Sequence, residues 1–307
     1  MRKQYQRFIA CRGPLLTACL LVLASFNAGC VSANSAEDSA TPAAASGTLA
    51  VPIGSPPAAG YVLKFDDEFT SFNGNAYGSN GWKTQYNFGR TNNTPLEAEF
   101  YSDSSVGTNP FSIVNGTLQI SATTAASTGA NSLGLPYNSG IITSFNSFHM
   151  QYGYFEISAQ MPPGVGLWPA FWLLPTSGAW PPEIDVMEQI GSATTIYQTL
   201  HFVSGGNTQE GTAVTVADTT AGYHTYAVDW EPTTITIYFD GQPTANWPTP
   251  SDMNQPMYML LDLAVGGPGS WPGPPNGSTV FPANMNIDYV RAYASPNSIN
   301  IGGALAQ

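Results

Sequence analysis

The sequence predicts an all-β fold for residues 58–295: a β-sandwich or jelly roll of two packed, curved antiparallel sheets. Three observations predict it. Short segments alternate apolar and polar side chains at period two, the signature of half-buried strands. Asn-Gly and Asp-Gly pairs stand where tight hairpin turns need residues with positive φ. No long helical period appears after the first thirty residues. Composition agrees: with 31 glycines and 25 prolines in 307 residues, 12% aromatic and 9% charged, the chain reads as turn-rich β structure. Its apolar share of 43% is too high for a disordered chain.

Residues 1–30 read as an export signal. Arg2, Lys3, Arg7 and Arg12 form a basic start, and an apolar stretch from Pro14 to Ser25 follows that is too short for a comfortable transmembrane helix. All three cysteines, Cys11, Cys19 and Cys30, lie in this leader, so the body is expected to hold neither a disulfide nor a thiol catalyst. Cys30 follows Asn27-Ala28-Gly29, and small residues before such a cysteine resemble a bacterial lipoprotein cleavage site, although Asn27 stands where that pattern prefers Leu. The alternative is ordinary cleavage nearby, for example after Ala36. The expected location is therefore outside the cytoplasm, either secreted or held at the outer membrane or cell surface by a lipid on Cys30. Residues 31–57, rich in Ala, Ser, Thr, Pro and Gly, read as a flexible linker, and residues 296–307 as a loose tail.

Within the body, Phe111–Val114, the turn Asn115-Gly116 and the segment from Thr117 form a predicted hairpin. Tyr152–Met161 alternates, and Thr233–Phe239 runs into the turn Asp240-Gly241. Further strands are predicted at Ile196–Val203, Tyr223–Trp230, Met257–Val265 and Met285–Tyr293. No fixed-period repeat is present.

Beyond the leader, only Lys64, Lys83, Arg90 and Arg291 stand against 20 acidic residues, all after position 36. Such a body repels nucleic acid and anionic membranes, and it disfavours sulfated or uronic-acid polymers. A neutral substrate fits better.

The informative segment is Pro182-Glu183-Ile184-Asp185-Val186-Met187-Glu188-Gln189-Ile190. In a strand, alternate side chains share a face, so Glu183 and Asp185 point one way and Ile184 and Val186 point into the core. Strict alternation would bury Glu188, at a cost that a lone carboxylate seldom repays. A β-bulge near Val186-Met187 would return Glu188 to the face of the other two acids. Three neighbouring carboxyls repel and raise one another's proton affinity, which stability alone does not favour. The arrangement suits cleavage of a glycosidic bond, where one carboxylate attacks the anomeric carbon and another donates a proton to the leaving oxygen. Retention requires the two working carboxyls ~5–5.5 Å apart. Alternating acids also ligate calcium, but the apolar flanks fit a cleft floor better.

Glu-Ile-Asp-Val-Met-Glu resembles the signature of family-16 glycoside hydrolases, and the extra residue Met187 resembles the bulged form of laminarinase-like members. Companion segments follow in that family's order: Tyr152–Pro162, Trp168–Pro175, Thr199–His201, His224–Trp230, Leu263–Gly267 and Ile287–Arg291. The resemblance covers about residues 60–294. It implies a concanavalin-like jelly roll with an open groove, retention of anomeric configuration, Glu183 as nucleophile, Glu188 as acid/base and Asp185 as their assistant. Glu97–Tyr101 resembles a Glu-x-Gln-x-Tyr segment beside the cleft, with Glu99 in place of Gln. Ser158 and Gln160 stand where a basic pair is frequent, and Asp262 where Asn is usual. No cofactor is implied; a structural calcium ion is compatible, without ligands that can be named.

Sugars stack their apolar faces on aromatic rings. Trp168 and Trp172 share a strand face with Ala170, and Trp271 sits in the loop Gly269-Ser-Trp-Pro-Gly, so these three are candidate substrate contacts, with Glu99. His201 alternates with Thr199 and could donate to a sugar hydroxyl or to Glu188. Trp230, His149 and His224 read as structural. The expected activity is that of a monomeric endo-acting hydrolase of a neutral polysaccharide, a β-1,3 or mixed β-1,3-1,4 glucan. The alternatives are an exopolysaccharide (succinoglycan-type) β-glycanase, a transglycosylase and, from another class, a lectin-like binding module.

Overall fold

The period-two segments fold into twenty strands and one short helix among the described residues. The computed structural model describes residues 54–302 apart from 79–80, 94–95, 107, 130–131 and 204–207. The leader at 1–30 with Cys30, the linker as far as residue 53 and the tail from 303 lie outside the described residues. In chain order the elements are β1 (Val62–Asp67), β2 (Gly74–Asn75), β3 (Trp82–Lys83), β4 (Glu99–Tyr101), β5 (Phe111–Val114), β6 (Thr117–Thr124), α1 (Ala125–Thr128), β7 (Tyr137–Ser139), β8 (Ile141–Thr143), β9 (His149–Gln151) and β10 (Gly153–Gln160). They continue as β11 (Leu167–Pro175), β12 (Glu183–Glu188), β13 (Thr195–His201), β14 (Gln209–Thr215), β15 (His224–Trp230), β16 (Thr234–Phe239), β17 (Gln242–Pro248), β18 (Met257–Val265), β19 (Ala283–Ala294) and β20 (Ile299–Gly302).

Two ten-stranded sheets result. The first runs β17-β16-β15-β10-β19-β6-β7-β4, with β1 on β19 and β5 on β6; the second runs β14-β13-β12-β11-β18-β8-β3-β2, with β9 on β18 and β20 on β9. Pairing is antiparallel through the body, as expected. It turns parallel at one end of each sheet, in β4–β7 and β2–β3. The predicted hairpins are present. Asn115 and Gly116 (φ 53° and 81°) join β5 to β6, and Asp240 and Gly241 (φ 48° and 71°) join β16 to β17. Both central φ values are positive, which matches the right-handed twist of the flanking strands.

The core lies between the sheets. Phe155 and Ile157 on β10, Phe171 and Leu173 on β11, Ile184 and Val186 on β12, Trp230 on β15, Leu261 and Leu263 on β18 and Ile287 on β19 are all fully buried in one cluster. Each such side chain contributes about 1.5–3 kcal/mol on burial. A second, smaller cluster forms on the outer face of the second sheet, from Tyr86, Tyr101, Ile141, Tyr258 and Leu260 with Phe145, Trp172 and Leu174 packed on it. So β18 is buried on both faces, whereas β11, β12 and β13 leave some side chains of that outer face half-buried, among them Trp168, Trp172, Glu183, Glu188, Tyr197 and His201.

Within the tail expected to be loose from 296, residues 299–302 form β20. Ile299 pairs with Gln151 and Gly302 with His149, because β9 offers an edge with free ladder groups. At the other end, the Gly54 backbone, inside the expected 31–57 linker, hydrogen-bonds to Glu156.

Candidate active site

The acids sit on β12, and the register of its neighbours shows how they come to share a face. Against β11, Asp185 pairs with Trp172 and Met187 with Phe171, two steps on β12 for one on β11. Against β13, Asp185 faces Thr199 and Glu188 faces Tyr197, three steps for two. β12 therefore carries one extra residue between Asp185 and Glu188. Consecutive Val186 and Met187 are both 0% exposed in the main core, which unbulged alternation would forbid. Glu188 is returned to the outer face, partly exposed, beside Glu183 and Asp185.

Each glutamate receives its own indole. Trp168 Nε1 donates to Glu188 Oε1 at 2.9 Å, and Trp180 Nε1 donates to Glu183 Oε2 at 2.6 Å. His201 on β13, paired with Glu183 on β12, places Nε2 3.1 Å from Asp185 Oδ2 and 3.8 Å from Glu183 Oε1, its ring against Trp180. Its partners are thus Asp185 and Glu183, not the Glu188 that alternation alone left open.

Electrostatics separate the groups. Burial pushes Glu188 up to about 7; the Trp168 N–H opposes this, and the charge of Glu183 adds to it. Burial, then the charge of Asp185, holds Glu183 well above the usual carboxyl range, while His201 and Trp180 pull it back. Asp185 is raised by burial and then by Glu188, and lowered by His201 and Glu183. The interaction between the two raises Glu183 and lowers Asp185, so they titrate together as a pair. Burial alone would lower His201, but Asp185, Glu183 and Glu188 together raise it to about 9, so it stands as an imidazolium beside the pair. Among the described residues, Glu183, Asp185 and His201 are also the group whose ligand atoms lie near enough to hold a cation, all within 4.8 Å.

The aromatic candidates divide. Trp271 is 49% exposed and packs edge-on against Trp168 (5.8 Å) and Tyr197 (4.7 Å), so it stands beside Glu188. Trp172 is partly exposed, but its Nε1 donates to Asp262 Oδ1 at 2.7 Å and its ring leans on Tyr86. Glu99 is corrected. It is 0% exposed, with Oε2 accepting from the Val265 N–H at 2.7 Å, and so lies beneath the face rather than on it. Alternation along β4 cannot show this, because the covering comes from distant segments.

Sequence reasoning did not single out Trp180, Tyr197 or Glu97. Trp180 lies three residues before Glu183, in Trp-Pro-Pro-Glu, and Tyr197 lies at period two from Thr199; both were legible signals. Asp262, which stands where Asn is usual, is buried on β18. It pairs with Ala170, which pairs in turn with Glu188, so Asp262 lies two strands from the acid.

Comparison with known proteins bears on this arrangement. The model of the family described as glycosyl hydrolases family 16 matches residues 82–291. An endo-1,3-1,4-beta-glycanase of Rhizobium meliloti, ExsH, is 41% identical over 241 residues, 75% of this chain and 51% of its own length. A second from that organism, EglC, is 46% identical over 189 residues, 61% of this chain and 40% of its own. The chain thus spans about half or less of the length of these curated relatives. Among solved structures, SCLam, a non-specific endo-beta-1,3(4)-glucanase holding 1,3-beta-D-cellobiosyl-glucose at its active site, superposes with a TM-score of 0.69 at 28% identity, over 81% of this chain and 100% of that one. With its signature strand, jelly-roll topology and the match over residues 82–291, the chain belongs to family 16 of the glycosyl hydrolases.

Proposed function

We propose that the chain is a retaining, endo-acting glycoside hydrolase that cleaves β-1,3 or mixed β-1,3-1,4 glucans by double displacement. The observation that carries this reading is the bulge in β12, which sets Glu188 on the face of Glu183 and Asp185, each glutamate on its own indole donor.

Glu183, ionised, attacks the anomeric carbon, and the bond to the leaving oxygen breaks as Glu188 delivers its proton to that oxygen. Glu188, whose pKa of about 7 keeps it protonated in mildly acidic solution, suits the donor role. The contact between the two acids favours the proton on Glu183, so for attack that proton must pass to Asp185, and the His201 cation offsets the charge left on the pair. In the second step, Glu188 takes a proton from water, the water oxygen bonds to the anomeric carbon, and Glu183 leaves. Carboxyl groups and water complete both steps. Trp271, beside Glu188, serves as a stacking platform for the sugar on the leaving-group side.

A second reading, a β-glycanase acting on a bacterial exopolysaccharide, is favoured by one observation. Identity to the two proteins named endo-1,3-1,4-beta-glycanases, 41% and 46%, exceeds the 28% to SCLam. Reducing-sugar release from laminarin, lichenan and a panel of exopolysaccharides separates the two. Release from none of them, with binding retained, would leave only the lectin-like reading. On the leader's layout we also propose export with a lipid on Cys30 and a monomeric state. A free amine on a residue after Cys30 in the mature protein would reject the lipid, and a dimer in light scattering would reject the monomer.

A further inference from the structure

The first sheet carries an uncharged polar patch on the face turned away from the core. Ile157 and Ala159 on β10, Leu118 and Ile120 on β6, and Met285 and Ile287 on β19 are buried in the main cluster. Their alternates Gln160, Gln119, Ser121, Asn284 and Asn286 therefore share the outer face. Three of these amides form one chain. Gln119 Nε2 donates to Asn286 Oδ1 at 3.0 Å, Asn286 Nδ2 donates to Gln160 Oε1 at 3.2 Å, and Gln160 Nε2 donates to the Thr220 carbonyl at 2.7 Å. Beside them Ser121 Oγ donates to Asn284 Oδ1 at 2.7 Å. These bonds fix how each amide is turned. A side-chain amide has two N–H donors and an oxygen with two lone pairs, so each retains hydrogen-bonding capacity for a ligand.

A cavity of about 310 Å³ opens over this patch. Gln160, Asn284 and Asn286 form its floor, and Pro163, Val280 and Pro282 its apolar rim, with Val280 74% exposed. None of the residues that line it is charged. The carboxylates nearby are engaged elsewhere: Asp288 accepts from Ser158 at 3.3 Å, and Asp218 accepts from the Thr220 N–H and hydroxyl. Tyr223, at the start of β15, donates its hydroxyl to Thr117 Oγ1 on β6 at 3.3 Å. In sheet order β10 and β19 lie between, so this 45% exposed side chain crosses the same outer face. A face kept only for solubility is served by charged side chains. Oriented amides beside exposed apolar groups instead suit a sugar, whose hydroxyls each need a donor and an acceptor and whose C–H faces need apolar surface.

We propose that this amide-floored cavity is a second binding site for a neutral glycan chain, which holds the polymer while the cleft works on another stretch of it. The connection from β18 to β19 joins the two sites. It bears Trp271 beside Glu188 and, further on, Val280 and Pro282 at the cavity rim. Between them the Thr279 hydroxyl donates to the Val165 carbonyl at 2.7 Å, which ties the connection to the loop after β10. Trp271 and Val280 are nine positions apart, and extended chain advances at most ~3.3–3.6 Å per residue, so the two lie within about 32 Å. One polysaccharide chain can touch both, and each site then raises the effective concentration of glycan at the other. The assignment rests on the neutral-glycan reading of the substrate.

The test is an NMR titration of the full chain carrying Glu183→Gln, which prevents hydrolysis, with a β-1,3-linked glucan hexasaccharide up to about 10 mM. The indole N–H signals of Trp168 and Trp271 report the cleft, and the side-chain amide signals of Gln160 and Asn284 report the second face. Both sets should shift. Adding Asn286→Leu removes the middle of the amide chain at similar volume. It should abolish the shifts of Gln160 and Asn284 while the indole shifts persist, which also shows that the fold is intact. Indole shifts alone, or amide shifts undiminished by Asn286→Leu, would overturn the second site and leave the hydrolase reading standing. Shifts at neither face would instead reject the glucan reading on which the site rests. Turnover reads the tethering. Asn286→Leu in the otherwise wild-type chain should raise the ratio of KM on long laminarin to KM on the hexasaccharide by about threefold or more. A ratio equal to that of wild type would overturn it.

Discussion

Replacing Trp168 by Phe should move the alkaline limb of kcat/KM upward. The indole N–H of Trp168 reaches Glu188 Oε1 at 2.9 Å and favours the ionised carboxylate, opposing the burial that holds Glu188 at about 7. Phe keeps an aromatic ring facing Trp271 but removes the donor. A hydrogen bond to a charged group is worth ~1.5–3 kcal/mol, and one pKa unit corresponds to about 1.36 kcal/mol. Water reaches this half-buried carboxyl and replaces part of the lost bond, so the net rise should be about one unit. The assay is kcat/KM on a short soluble β-glucan oligosaccharide from pH 4 to pH 9 at constant ionic strength, where the falling limb reports the acid of the free enzyme. In the variant the limb should stand near pH 8. A limb that stays within about 0.3 unit of wild type, or moves down, would refute the assignment of that proton to Glu188.

The remaining predictions concern the same face. Glu183→Gln and Glu188→Gln should each lower kcat on natural glucans by about 10²–10⁴-fold or more while circular dichroism stays native; wild-type-like turnover in either would overturn the roles. Glu188→Gln should also be more stable than wild type at pH 8. Below about 4.5 both folded and unfolded Glu188 are protonated. Between 4.5 and about 7 only the folded state keeps its proton, so stability falls as pH rises through that window, by at most roughly 3 kcal/mol. Thermal melts of both proteins at pH 4.5 and pH 8 check this, and a difference that shrinks with rising pH would contradict it. His201→Gln removes the cation beside Glu183 and Asp185, so the acid limb of kcat/KM should move up; an unmoved limb would mean that His201 does not hold the charge of the pair.

Much of this site was legible in the sequence because strand geometry is periodic. Once Ile184 and Val186 were assigned to the core, the cost of burying Glu188 forced the extra residue near Val186-Met187, and the register confirms its place. The hairpins at Asn115-Gly116 and Asp240-Gly241 were legible because few residues other than Gly, Asn and Asp accept the positive φ that their turns impose. Other features depend on segments distant in the chain and left no periodic trace. The burial of Glu99 is created by Glu97, Tyr101 and the Val265 amide. β20 is ordered only because the β9 edge, some 150 residues earlier, receives it. Ser158 and Gln160, which stand where a basic pair is frequent, lie on β10 in the opposite sheet, bonded to Asp288 and to the Thr220 carbonyl. The pairing of each catalytic glutamate with a separate indole was not legible either, since Trp168 and Trp180 belong to different segments of the chain.

Trapping the sugar on the enzyme tests the central claim most directly. A 2-deoxy-2-fluoro β-glucoside oligosaccharide with an activated leaving group should inactivate the protein, and peptide mass spectrometry should find one glycosyl group on Glu183. A label on Asp185 or Glu188 instead, or turnover with no covalent adduct formed, would contradict the double displacement built on this bulged strand.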